Sequence, residues 1–111
     1  HGREVFGVEH HDPFMITVIE VAEEYKSKIP AVVHVDGTAR PQMVSRETNP
    51  RYWNLINEFK KLTGIPMLLN TSFNVQEPIV CTPENAINTF RNANFDALVL
   101  ENNLVVRQQQ L

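Results

Sequence analysis

Two segments hold side chains able to grip an anionic ligand. The first, Asn70-Thr71-Ser72-Phe73-Asn74, leaves an apolar run and is followed by Glu77-Pro78. Two hydroxyls, two amides and the N–H groups of a turn suit phosphate oxygens and the edge of a base or ribose. The same residues also make an ordinary turn that satisfies only its own backbone. Phe73, set between polar neighbours, is expected to anchor this loop in the core rather than to stack on a ligand. The second segment is His34-Val35-Asp36-Gly37-Thr38-Ala39-Arg40. Gly37 permits a tight turn, and Arg40 offers a planar, permanently charged fork for phosphate or carboxylate. Asp36 either pairs with Arg40 and aims it, or caps the turn as an Asx residue. His34 alternates with Val33 and Val35, which fits a hydrogen-bonded, half-buried histidine better than a catalyst.

Other chemical candidates carry less. In His10-His11-Asp12 the adjacent histidines of an extended chain face opposite ways, and no second ligand pair stands at useful spacing, so no metal is expected there. Cys81 precedes a helix start, where the dipole lowers a thiol pKa. No histidine is near it in sequence, and a lone cysteine is commonly a small hydrophobe. A Gly-x-Gly-x-x-Gly fingerprint, a Walker lysine motif and a Gly-x-Ser-x-Gly elbow are all missing.

These loops need elements to hold them. Phe14 to Val21, β-branched, apolar and bounded by Pro13, predicts a largely buried strand. Ala22 to Lys28 predicts a short helix that ends before Pro30. Ala31 to Val35 predicts a second strand, and Gln42 to Ser45 a further extended piece. Asn49 and Pro50 open a helix whose Tyr52, Leu55, Ile56, Phe59 and Leu62 recur at helical spacing, and Gly64 with Pro66 stops it. Pro66 to Leu69 predicts a short strand before the first loop. Thr82-Pro83-Glu84 opens a second helix burying Ala86, Ile87 and Phe90, with its acid at the positive end of the dipole. A strand over Ala97 to Leu100 then turns at Asn102-Asn103 into Leu104 to Val106, and Gln108 to Gln110 reads as a frayed tail. Strands alternating with helices predict an α/β layer with some parallel pairing. In such sheets ligands sit beyond the carboxyl ends of strands, where the long loop after Leu69 lies.

The 111 residues suffice for one domain. Composition, 42% hydrophobic and 21% charged, excludes disorder, and apolar runs no longer than Ala97 to Leu100 exclude a membrane span. One cysteine excludes an internal disulfide. No signal peptide is visible, and a start on His1 suggests an excerpt. Net charge is −3, but residues 25–61 hold seven bases against three acids. A basic middle in an acidic chain hints at a local anionic ligand rather than at nucleic acid, while solvated side chains on helix faces account for most of these bases, Arg40 excepted.

The run Ile29-Pro30-Ala31-Val32-Val33-His34-Val35-Asp36-Gly37-Thr38-Ala39-Arg40, followed by Glu47-Thr48-Asn49-Pro50, resembles the carboxyl-terminal domain of the O-carbamoyltransferases. These are the nodulation-protein-U and antibiotic-carbamoylating enzymes. Leu68 to Asn74, then Glu77 to Glu84, then Asp96 to Leu100, extend the likeness over nearly the whole chain from about Pro13. The resemblance implies a cytoplasmic two-domain enzyme. Its amino-terminal domain would be Kae1-like and hold a histidine- and aspartate-bound iron. Its carboxyl-terminal domain would be YrdC-like α/β, with residues 1–111 as its last part, truncated at the amino-terminal side. That part would be a partial, twisted mixed sheet flanked by two main helices. ATP, with magnesium, and carbamoyl phosphate would form carbamoyl adenylate here, and the other domain would pass the carbamoyl group to a sugar or natural-product hydroxyl. By the same resemblance Arg40 is catalytic and phosphate-binding, and Thr71, Ser72 and Asn74 line the nucleotide site. His34 and Asp36 are further candidates. The basic residues that the family uses earlier in the domain are missing, so the chain alone is expected to be inactive. No nucleic acid or membrane partner is implied. The alternative is a non-catalytic nucleotide-binding or interaction module of the same fold.

Overall fold

The helix punctuation works as written. Asn49 accepts a hydrogen bond from the Tyr52 N–H at 3.2 Å, and Gly64 closes the same helix with φ 78°. Thr82 accepts from the Asn85 N–H at 3.1 Å, with Pro83 as the first helical residue. The computed structural model describes residues 1–108 and divides into two units, His1–Leu69 and Asn70–Leu111. Gln109 and Gln110 of the expected tail lie outside the described residues.

The first unit runs through α1 (Gly2–Phe6), β1 (Ile19–Glu20), α2 (Glu23–Lys26), a 3-10 turn (Pro30–Val32), β2 (Thr38–Ala39) and α3 (Pro50–Thr63). Its core is Val5, Val21, Tyr25, Ile29 and Ala39, with Phe6, Ala22, Val32, Val33, Ile65 and Met67 packed half-buried around them. β1 and β2 pair antiparallel, Ile19 opposite Ala39 and Glu20 opposite Thr38. The Val21 N–H donates to Gly37 O at 3.1 Å, and Gly37 itself takes φ 83°, a left-handed turn that a side chain would strain.

The second unit holds α4 (Pro83–Asn92), β3 (Ala97–Leu100) and β4 (Asn103–Val106). The two strands form an antiparallel hairpin with Leu98 opposite Val105 and Val99 opposite Leu104. Strand alternation sends Leu98 into a core with Ala86 and Phe90, while Val99, Leu104 and Val106 stay exposed. Arg107 closes α4 from outside: its Nη2 donates to the carbonyls of Phe90, Arg91 and Ala93, and its Nε to Phe95 O at 2.9 Å.

Among the described residues the chain is therefore mixed α/β, with four helices and two small antiparallel sheets. The expected parallel pairing is not seen in them. Phe14 to Val18 is not a buried strand: the Asp12 carboxylate takes the N–H groups of Phe14, Ile16 and Thr17, each at 2.8 Å, and bends the segment away from any ladder. Phe14, Ile16 and Val18 are exposed as a result. Ala31 to Val35 coils into the 3-10 turn and a tight loop because Pro30 starts a helical turn and Gly37 reverses the chain. Pro66 to Leu69 also has no strand partner among the described residues. α3 forms as expected but buries none of its residues, leaving Leu55 and Leu62 exposed. In α4, Thr89 takes a core position and Ile87 stays exposed.

Candidate functional site

In the first unit the site residues belong to the loop that ends in β2. Thr38 donates its N–H to Asp36 Oδ1 at 3.0 Å and its hydroxyl to the same oxygen at 2.7 Å. With that proton committed, the His34 Nδ1 contact to Thr38 Oγ1 at 2.9 Å has the imidazole as donor. Asp36 is thus the Asx cap of the turn and not the partner of Arg40. Its carboxyl lies below the ordinary range, chiefly because the Thr38 hydroxyl and then the Thr38 N–H donate to it. Both His34 and Asp36 are exposed.

Arg40 follows the buried Ala39, so the alternation of an extended chain turns its guanidinium outward. Its basic neighbours in sequence are engaged. Lys26 pairs with Glu23, Lys61 with Glu58, and Lys60 with His1. Lys28 lies 4.7 Å from the Tyr25 ring and Arg46 lies 5.4 Å from that of Trp53; Arg51 is engaged as well. Among the described residues, Arg40 alone of the seven has no such partner.

The second unit carries the long loop. Thr71, Ser72, Phe73, Phe95, Ala97, Leu98 and Val99 line a cleft of about 250 Å³. Phe73 meets Phe95 edge to face at 5.9 Å and packs against the core of Ala86, Phe90 and Leu98, which is the anchoring expected of it. The Val80 N–H donates to Phe73 O at 3.0 Å and closes the loop's base. Thr71 and Ser72 are exposed; Thr71 reaches the Ser72 carbonyl at 3.4 Å, whereas the Ser72 hydroxyl has no partner among the described residues. Asn74 is half-buried and lies outside the cleft lining, its Nδ2 donating to Glu77 O at 2.9 Å.

Four residues that shape these loops were not singled out from sequence: Thr38, Glu77, Thr89 and Arg107. Glu77 accepts from the Thr89 hydroxyl with Oε1, and from the Val75 and Gln76 N–H groups with Oε2 at 3.2 and 2.9 Å. Only its place in the loop hinted at this, and the expected buried face of α4 did not include Thr89.

His10 and Asp12 serve the first unit's loop. The Thr17 hydroxyl donates to Asp12 at 2.6 Å and lies 2.8 Å from His10 Nε2. Among the described residues no three His, Cys, Asp or Glu side chains converge as metal ligands. Cys81 is exposed, with Sγ 3.5 Å from Asn85 Oδ1.

Two carboxylates are held strongly ionised. The Thr17 hydroxyl and then three backbone N–H groups lower Asp12 from 3.8 to about 2. The Thr89 hydroxyl and loop N–H groups lower Glu77 from 4.5 to about 2. A carboxyl with a depressed folded pKa stabilises the fold above its unfolded value and loses that contribution as pH falls through the folded one. Both loops are therefore expected to stay intact at pH 5 and to loosen progressively between about pH 4 and pH 2. Amide exchange at Ile16, Thr17, Val75 and Gln76 across that range measures it, and flat protection would remove the carboxylates as anchors.

Among the described residues the fold is mixed α/β, with the Arg40 guanidinium and the Ser72 hydroxyl both exposed and without a side-chain partner. A sequence profile described as carbamoyltransferase C-terminus matches residues 1–107, and the chain belongs to that family. It is 54% identical to nodulation protein NolO of Bradyrhizobium diazoefficiens over 79% of this chain and 16% of that protein. Nodulation protein NolNO of Sinorhizobium fredii is 48% identical over 86% of this chain and 14% of its own length. Nodulation protein U of Rhizobium tropici is 46% identical over 65% and 12%. The chain thus spans about a sixth or less of these relatives. No helix among the described residues is long and apolar enough to cross a membrane.

Proposed function

We propose that this chain belongs to the carboxyl-terminal domain of a cytoplasmic, ATP-dependent O-carbamoyltransferase and contributes to the formation of carbamoyl adenylate from ATP and carbamoyl phosphate. Family membership supports the reaction class. The observation that carries the site is Arg40, which has no side-chain partner among the described residues while the other bases of its segment have one. Water would first release phosphate from carbamoyl phosphate, and the carbamate oxygen would then attack the α-phosphorus of ATP as pyrophosphate leaves; charge builds on the phosphate oxygens, and a guanidinium beside them stabilises it. Thr71 and Ser72 supply hydroxyl donors, and Asn74 keeps its amide oxygen for the nucleotide. The YrdC-like sheet would be completed by chain preceding His1. The carbamoyl group would then move to a sugar or natural-product hydroxyl in an upstream Kae1-like domain.

On this reading magnesium would enter with the triphosphate, and the family's iron would belong to the upstream domain.

The test is ATP-dependent carbamoyl transfer by the longer polypeptide. Ser72→Ala is expected to weaken ATP use by roughly three- to tenfold, the scale of one neutral hydrogen bond. Unchanged kinetics would remove Ser72 from the site. ATP binding without any transfer by the wild type would favour the non-catalytic module.

A further inference from the structure

The loop from Asn70 to Cys81 is long, and a flexible loop would have to be ordered each time a ligand bound. Phe73 and the Val80 N–H hold its base. In the middle Asn74 reaches Glu77 O, and the Glu77 carboxylate alone ties the loop to α4.

We propose that Glu77 is the positioning residue of the nucleotide loop, fastening the Thr71–Asn74 segment to α4 through Thr89. This rests on the nucleotide reading above. Thr89 is 3% exposed on the packed face of α4, beside Ala86 and Phe90, so the anchor point is as fixed as the core. From there Glu77 Oε1 takes the hydroxyl, while Oε2 gathers the N–H groups of Val75 and Gln76. The backbone so placed carries the Glu77 carbonyl that holds Asn74 Nδ2 at 2.9 Å. Asn74 thus owes its orientation to residue 77, and its amide oxygen is left to face a ligand. Glu77 touches no ligand in this account; it acts through Asn74 and the loop backbone.

Gln at 77 could keep the geometry, with its amide oxygen on the two N–H groups and its NH₂ donating to a turned Thr89 hydroxyl. Alanine could not. The contrast separates positioning from charge.

Three variants decide the matter: Glu77→Ala, Glu77→Gln and Thr89→Val. Without ligand, Glu77→Ala and Thr89→Val are expected to speed amide exchange at Val75 and Gln76, and Glu77→Gln to slow it back towards wild type. In the longer polypeptide, Glu77→Ala is expected to raise the KM for ATP on the order of tenfold with kcat changed by less than about threefold. Glu77→Gln is expected to restore most of that KM. Thr89→Val keeps the core volume and serves if Glu77→Ala fails to fold. Unchanged exchange would show that Glu77 does not hold the loop. Faster exchange with an unchanged KM would show that the latch serves the fold alone. Either result overturns the proposal. A wild type that does not bind ATP would overturn the nucleotide reading, and the proposal with it, before any substitution is made.

Discussion

Phe90→Ala is expected to destabilise the second unit by about 3–5 kcal/mol, the range for emptying a buried aromatic site. Among the described residues that unit has only Ala86, Phe90 and Leu98 as buried apolar residues, so one ring is most of its core. The loss spreads by contact. Phe73 and Val80 pack half-buried on this cluster, and they seat the start and end of the long loop. The Arg107 guanidinium lies 5.3 Å from the ring centroid while its Nη2 reaches the Phe90 carbonyl at 2.7 Å. Removing the ring takes away that platform as well. Far-UV circular dichroism through a urea titration, with amide exchange at Leu98 and Val105, would measure the effect. A change below about 1 kcal/mol, the level of an ordinary surface substitution, would show that Phe90 is not the keystone of this cluster.

What was legible in the sequence was what the chain fixes locally. Asn49, Pro50 and Gly64 each act within four residues of themselves, and they set both ends of α3. Thr82 and Pro83 do the same for the start of α4. The hairpin was legible too, although the turn falls on Glu101 and Asn102 with Asn103 already in β4. Strands are different, because a strand exists only where another segment accepts its ladder. Phe14 to Val21 has the composition of a buried strand, yet only Ile19 and Glu20 find partners in Thr38 and Ala39. The deciding residue was Asp12, whose carboxylate competes for the same N–H groups that a ladder would have used.

The candidate site follows the same rule. The Asx turn at Asp36 was one of two local alternatives, and the nearer donor won: Thr38 is two residues away and offers both an N–H and a hydroxyl. That outcome released Arg40. The Glu77–Thr89 contact spans twelve residues and joins a loop to a helix, so no local pattern announced it.

The release of Arg40 sets the largest functional expectation. Arg40→Ala in the longer polypeptide is expected to lower kcat/KM for ATP-dependent carbamoyl transfer by about 10- to 10²-fold, the scale of one charge-assisted hydrogen bond. Arg40→Lys keeps the positive charge but loses the two-pronged fork, so it is expected to recover only part of the rate. Stability gives the internal control. The Arg40 side chain is exposed and has no side-chain partner among the described residues, so its removal should move the unfolding midpoint little. A merely structural arginine would behave the other way round, lowering the midpoint and leaving the folded enzyme active. Steady-state kinetics and thermal unfolding on the same preparations separate the two. Wild-type kcat/KM in Arg40→Ala would take Arg40 out of the reaction, and with it the observation on which the proposed site rests.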